Sequence, residues 1–198
     1  MRHDDPREAA WRGVQYKKNK YEILRHFLGE HIPESAFIFT EAQQGSGRRY
    51  VEMTLQKELP RISLHQLTAE QRNDPRLKAN MTDLVQRMQY MYRVLGEVNA
   101  RTASDINLDA KLDLGGISDF VRSERLDHVF SEQELETILD SNTSPNLLVN
   151  PDNMQVYCID FDQGQWVEGM SDAKRLAFEI DGHIQAERAR RIGAVATS

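Results

Sequence analysis

Cysteine is nearly missing from this chain of 198 residues: Cys158 stands alone. A single thiol excludes an internal disulfide, and its setting among Val156, Tyr157 and Ile159 reads as a small buried hydrophobe. Long apolar runs are missing as well. No stretch of about eighteen apolar residues occurs, so no membrane-spanning helix is expected. The start, MRHDDPREAAWRG, lacks the apolar core of a secretory signal, which leaves a reducing cytoplasm as the expected compartment. Positive charge is not in excess either. Against 31 Asp and Glu stand 25 Lys and Arg, a net charge of −6, which argues against general affinity for nucleic acid or anionic membranes. What is present suffices for a core: 39% of residues are hydrophobic at a mean hydropathy of −0.63. The length suits one domain or a small bilobal one.

Residues 1–16 are charged and without period, and read as a frayed arm. From Lys17 onward, Tyr21, Leu24, Phe27 and Leu28 recur at helical spacing, and Gly29 and Pro33 stop the helix. Residues 36–40 and 50–55 read as strands joined by a hairpin turn in QQGSGRR. Gly45-Ser46-Gly47-Arg48-Arg49-Tyr50 half-matches a Gly-rich phosphate loop, but two glycines at a turn are ordinary hairpin chemistry. Thr68-Ala69-Glu70-Gln71 fits a capping box, and Asp74 caps a second start with Pro75 at its first position. The longest periodic segment follows, about 76–99. There Leu77, Met81, Leu84, Met88, Met91, Leu95 and Val98 form one apolar stripe, the pattern of a central core helix. Asp105, Asp109 and Asp113 lack the order of a calcium loop and read as solvated. Ser131 to Glu134 is a capping box for a helix through Ile138. A last helix, capped by Ser171, turns Leu176, Ile180 and Ile184 inward and carries Arg188, Arg190 and Arg191 near its negative end.

The stretch from Leu139 to Trp166 organises the rest. Leu147, Leu148 and Val149 form a short apolar run. Asn150-Pro151-Asp152-Asn153 is turn chemistry, and residues 155–161 are rich in β-branched and aromatic side chains. Antiparallel pairing sets Asn146 and Asp160 side by side at one end of that hairpin. An amide oxygen and a carboxylate suit a hard divalent cation such as Mg²⁺, which takes one or two protein oxygens and completes its shell with water and phosphates.

In these residues, SPNLLV and CIDFDQG, the chain resembles the metal-binding hairpin of the protein-kinase-like superfamily. The IDFDQG form is closer to aminoglycoside, other small-molecule and lipopolysaccharide-sugar kinases than to eukaryotic protein kinases. The resemblance implies an α+β kinase-like fold: a reduced N-terminal lobe over residues 1–57, then a mostly helical lobe over 58–198 with an insertion around 100–130. Residues 56–65 become the crossing between lobes. It implies ATP- and Mg²⁺-dependent phosphoryl transfer to a hydroxyl of a small molecule or sugar, with Asn146, Asp160 and Asp162 as metal ligands. Glu22 takes the place of the helix glutamate that pairs a nucleotide-binding lysine.

Two features depart from the family pattern. The catalytic Asp of that pattern stands five residues before the metal Asn; here that position is Ser141, and Asp140 is one residue early. Either Asp140 reaches the place of the base through a local bulge, or the base is missing. No Gly-rich loop or strand lysine precedes the helix, and Lys17, Lys18 and Lys20 lie on or beside it. Three explanations stay open: a truncated kinase, an inactive kinase-like module that binds a protein partner, or an active enzyme with an unusual nucleotide site.

Overall fold

The computed structural model describes residues 5–44, 47–59, 61–102, 129–140, 146–159 and 169–195. The architecture is α+β and mostly helical, with two small antiparallel sheets. Helix α1 spans Pro6–Leu28, so the expected frayed arm is instead three turns of helix. Its cause is local. Asp5 accepts the backbone N–H of Arg7 at 2.9 Å and Pro6 supplies a helical φ at the first position, the same cap-and-proline signal that starts the long helix. Gly29 ends α1 at φ +57°, a left-handed conformation that costs a side-chain-bearing residue about 1 kcal/mol. Arg25 reinforces that end by donating to the Gly29 carbonyl at 2.8 Å.

Strands β1 (Ser35–Gln44) and β2 (Gly47–Gln56) pair along their whole length as a ten-rung hairpin. The chain then passes to a second sheet. There β3 (Ile62–Ser63) pairs with β4 (Leu147–Val149), and β4 pairs with β5 (Val156–Cys158). Two residues are too few for a period, and β3 left no pattern in the sequence.

Helix α2 (Ala69–Arg72) carries the expected Thr68–Gln71 capping box. Asp74 caps α3 (Pro75–Arg101) through Arg76 N–H at 2.8 Å. The seven stripe residues of α3 are all buried, joined by Val85 and Val94. This stripe forms the middle of the core, with Ile23, Leu24 and Leu28 of α1 and the buried face of β4 and β5 around it. The Ser131–Glu134 box closes in both directions at 2.8 and 3.2 Å and starts α4 (Glu132–Asp140).

The last helix, α5 (Met170–Val195), begins two residues earlier than expected. Gly169, at φ +84°, is the residue before it, and its carbonyl takes Ala173 N–H at 2.9 Å. Ser171 is therefore inside the helix rather than its cap. Its hydroxyl instead accepts a 2.8 Å bond from the Asn19 amide of α1. Arg188 does not simply face the helix dipole; its guanidinium lies over the Tyr90 ring at 5.2 Å. The region around 103–128, with Asp105, Asp109 and Asp113, lies outside the described residues.

Candidate functional site

The site is built on the β4–β5 hairpin. Leu147 pairs with Cys158 and Val149 with Val156, and all four side chains are fully buried. The period of two along a strand therefore locks the register, since a one-residue slip would turn all of them outward. The turn is held from within. Asn150 accepts Asp152 N–H on its side-chain oxygen and Asn153 accepts Gln155 N–H, each at 3.0 Å. Met154 closes the turn at φ +59°. The strain of that left-handed methionine is offset by burial of its side chain and by the Asn80 amide of α3, which donates to its carbonyl at 2.9 Å.

At the opposite end of the hairpin, Ile159 N–H donates to the Asn146 carbonyl at 2.8 Å. This rung lies one pair beyond Leu147–Cys158, so Asn146, half-buried, stands across from Ile159, the residue before Asp160. Asp160 and Asp162 themselves lie outside the described residues. Asp140 is the last residue of α4, six positions before Asn146 in the chain, and 141–145 also lie outside the description. The side chains expected to hold a cation, one amide and two carboxylates, offer only hard oxygen, a chemistry that fits Mg²⁺ and not a soft metal. Among the described residues no group of three His, Cys, Asp or Glu side chains forms a metal site.

Glu22, in the middle of α1, has a lysine partner that the sequence did not point to. Lys174 of α5 reaches it at 2.6 Å, and Lys18 lies 3.9 Å from its other oxygen. Lys17 pairs with Glu52 of β2 at 3.4 Å, and Lys20 is buried in the interface of α1, at 4% exposure. Lys174 lies 152 residues along the chain from Glu22, and no local pattern reports a pairing at that separation.

Two further polar networks went unread for the same reason. His31, buried after the end of α1, has Nδ1 at 2.7 Å from the Val156 carbonyl of β5 and Nε2 at 3.0 Å from Asp83 of α3. It thereby ties the candidate hairpin to the central helix. Burial works to raise the Asp83 pKa, but hydrogen bonds from Arg87 and His31 outweigh it and leave the carboxyl below its ordinary value. In the second network Tyr90 donates to Asp181 at 2.5 Å, and the other Asp181 oxygen lies 2.9 Å from His26 Nε2. Burial, with Asp181 beside it, pushes the Tyr90 phenol up to about 12. Asp181 goes the other way: burial opposes its charge, yet the bonds from Tyr90, His26 and Gln185 hold its pKa down. These groups fasten α1, α3 and α5 together.

Cys158 is fully buried, and burial pushes its thiol up to about 12. It stays protonated at neutral pH and acts as a core residue. A cavity of about 620 Å³ opens between the start of α3 and α4, with Arg72 and Lys78 on one wall and Glu132 and Glu136 on the other. No described helix is long and apolar enough to cross a membrane. No family model matches the chain, and no curated protein or solved structure is significantly similar to it.

Proposed function

We propose that this protein is an ATP- and Mg²⁺-dependent phosphotransferase acting on a hydroxyl of a small molecule or sugar, with a protein-kinase-like arrangement of its catalytic half. The observation that supports this reading is the 2.8 Å rung between Ile159 N–H and the Asn146 carbonyl. It places an amide-bearing residue across from the position just before Asp160, at the open end of a hairpin whose register is locked by burial. Asn146, Asp160 and Asp162 hold the cation. When bound, that cation supplies charge neutralisation on the nucleotide phosphates. Asp140, ending α4, accepts the substrate hydroxyl proton, and the long stripe of α3 holds the hairpin rigid behind the site.

The test is calorimetric binding of ATP with and without Mg²⁺, together with phosphate transfer to a panel of sugars and aminoalcohols. Asn146→Ala and Asp160→Ala are each expected to abolish Mg²⁺-dependent nucleotide binding and to cost several powers of ten in transfer. If Asp160→Ala leaves both unchanged, the metal assignment is wrong.

A second reading, an inactive kinase-like module that binds a protein partner, is favoured by one observation. Glu22 is engaged by Lys174 of a helix rather than by a lysine of a strand. Under that reading, ATP with Mg²⁺ leaves the melting temperature unchanged.

A further inference from the structure

The β1–β2 hairpin is open on two counts. Its sheet has only two strands among the described residues, and only one of its faces is covered. Phe37 and Phe39 lie against Tyr21 and Trp11 of α1, with ring centroids 5.4 and 5.7 Å apart. Alternation along the strands then puts Ile38, Val51, Met53 and Leu55 on the other face, where Met53 and Leu55 are 43% and 51% exposed.

The edges follow from the ladder. Lys57 N–H donates to the Glu34 carbonyl at 2.8 Å, one rung below Ser35–Gln56. Hydrogen-bonded pairs alternate in an antiparallel ladder, so Ala36, Ile38, Thr40 and Ala42 bond to β2. Phe37, Phe39 and Glu41 turn their N–H and C=O groups outward. Such an edge invites another strand unless charge blunts it. The two edges differ here: β2 carries Arg48, Arg49 and Glu52, whereas β1 carries Glu41 alone.

We propose that β1 is a dimerisation edge: a second copy of this chain adds its own β1, antiparallel, about a twofold axis at Ile38. The result is a continuous four-stranded sheet with the two hairpins side by side. The occupant is argued from the strand's match to its own reverse. About Ile38, Phe37 faces Phe39 of the second copy in the outward hydrogen-bonding phase, Ala36 faces Thr40, and Ile38 faces itself. Glu41, the one charge, faces the Ser35 hydroxyl and never another carboxylate. That pairing also joins the two exposed apolar faces into one surface on the same side of the new sheet.

Sedimentation velocity across a dilution series tests the proposal. The wild-type chain is expected to sediment as a dimer that dissociates on dilution. Ile38→Glu and Ile38→Lys each place like charges on the axis and are expected to sediment at half that mass. An equimolar mixture of the two restores the dimer, because the axis then joins opposite charges. A wild-type monomer throughout the series, dimers persisting in both single variants, or a folded mixture that fails to re-associate would each overturn the proposal. Glu41→Pro covers the case in which an Ile38 variant does not fold, since it leaves the β1–β2 ladder intact and removes an outward N–H together with the exposed Glu41–Arg48 ion pair. It is expected to be monomeric, and a dimer would again overturn the proposal.

Discussion

Each strand of the β1–β2 hairpin runs ten residues, and most of β2 is exposed. The second sheet has strands of two or three residues, and the inward side chains of β4 and β5 are fully buried. Ten rungs leave the hairpin resting on a single helix face, because a two-stranded ribbon alone is marginal in water. Three short strands gain their order from elsewhere: from the α3 stripe, from His31 gripping Val156, and from Asn80 gripping Met154. Strand length is thus a poor guide to which sheet is rigid. A site requiring fixed geometry belongs on the short one, and a surface for joining another chain belongs on the long one.

That contrast can be broken most directly in the core. Leu147→Ala, at a fully buried position, is expected to cost about 3 kcal/mol, whereas Met53→Ala on the hairpin's open face should cost under about 1 kcal/mol; urea unfolding midpoints measure both. Equal losses would show the hairpin to be as firmly held as the short sheet. Next in size, His31→Ala leaves the Val156 carbonyl and Asp83 without their buried partner. A loss of about 2 kcal/mol is expected, with faster amide exchange in β5 and unchanged exchange in β1 and β2.

Acid sharpens the same contrast. Asp83 and Asp181 both have lowered pKa values in the folded chain. Each therefore contributes stability above the unfolded aspartate pKa of about 3.9, and that contribution is lost as pH falls through the lower folded value. Asp83→Asn and Asp181→Asn are expected to lower stability at neutral pH and to flatten the acid limb of a stability–pH curve. An unchanged limb would remove these carboxylates from the account. The smallest effect is expected at Gly13, where an added Cβ would lie 2.5 Å from a Glu52 carboxylate oxygen. Gly13→Ala displaces the Glu52–Lys17 pair but gains helix propensity, so the net change should stay within about 0.5 kcal/mol.

Local chemistry made much of this fold readable. Thr68, Asp74 and Ser131 all cap where their residue types and spacing say they should, and every stripe position of α3 is buried. Asp5-Pro6 carries the same signal as Asp74-Pro75, but the charged residues after it mask the period, and the first turns of α1 went unread. Of the candidate site, the hairpin beneath it was legible, to the extent that a turn fixes its register. The Asn146–Ile159 rung follows from the Asn150–Asn153 turn and the apolar runs beside it. Lys174, His31 and Asp181 were not legible, because each meets its partner across 52 to 155 residues of chain. Pairings at such separations are decided by packing, which periodicity does not encode.

The staples between α1 and α5 have a consequence for biogenesis. Asn19 to Ser171, Glu22 to Lys174 and His26 to Asp181 all join α1 to α5 across 152 to 155 residues of chain. While the chain emerges from a ribosome, α1 at first has no α5 to grip, and these polar anchors stay in water until α5 has emerged as well. Helix α1 is then made well before its contacts with α5 can form, and a chain stalled before Met170 would leave that face for chaperones to shelter.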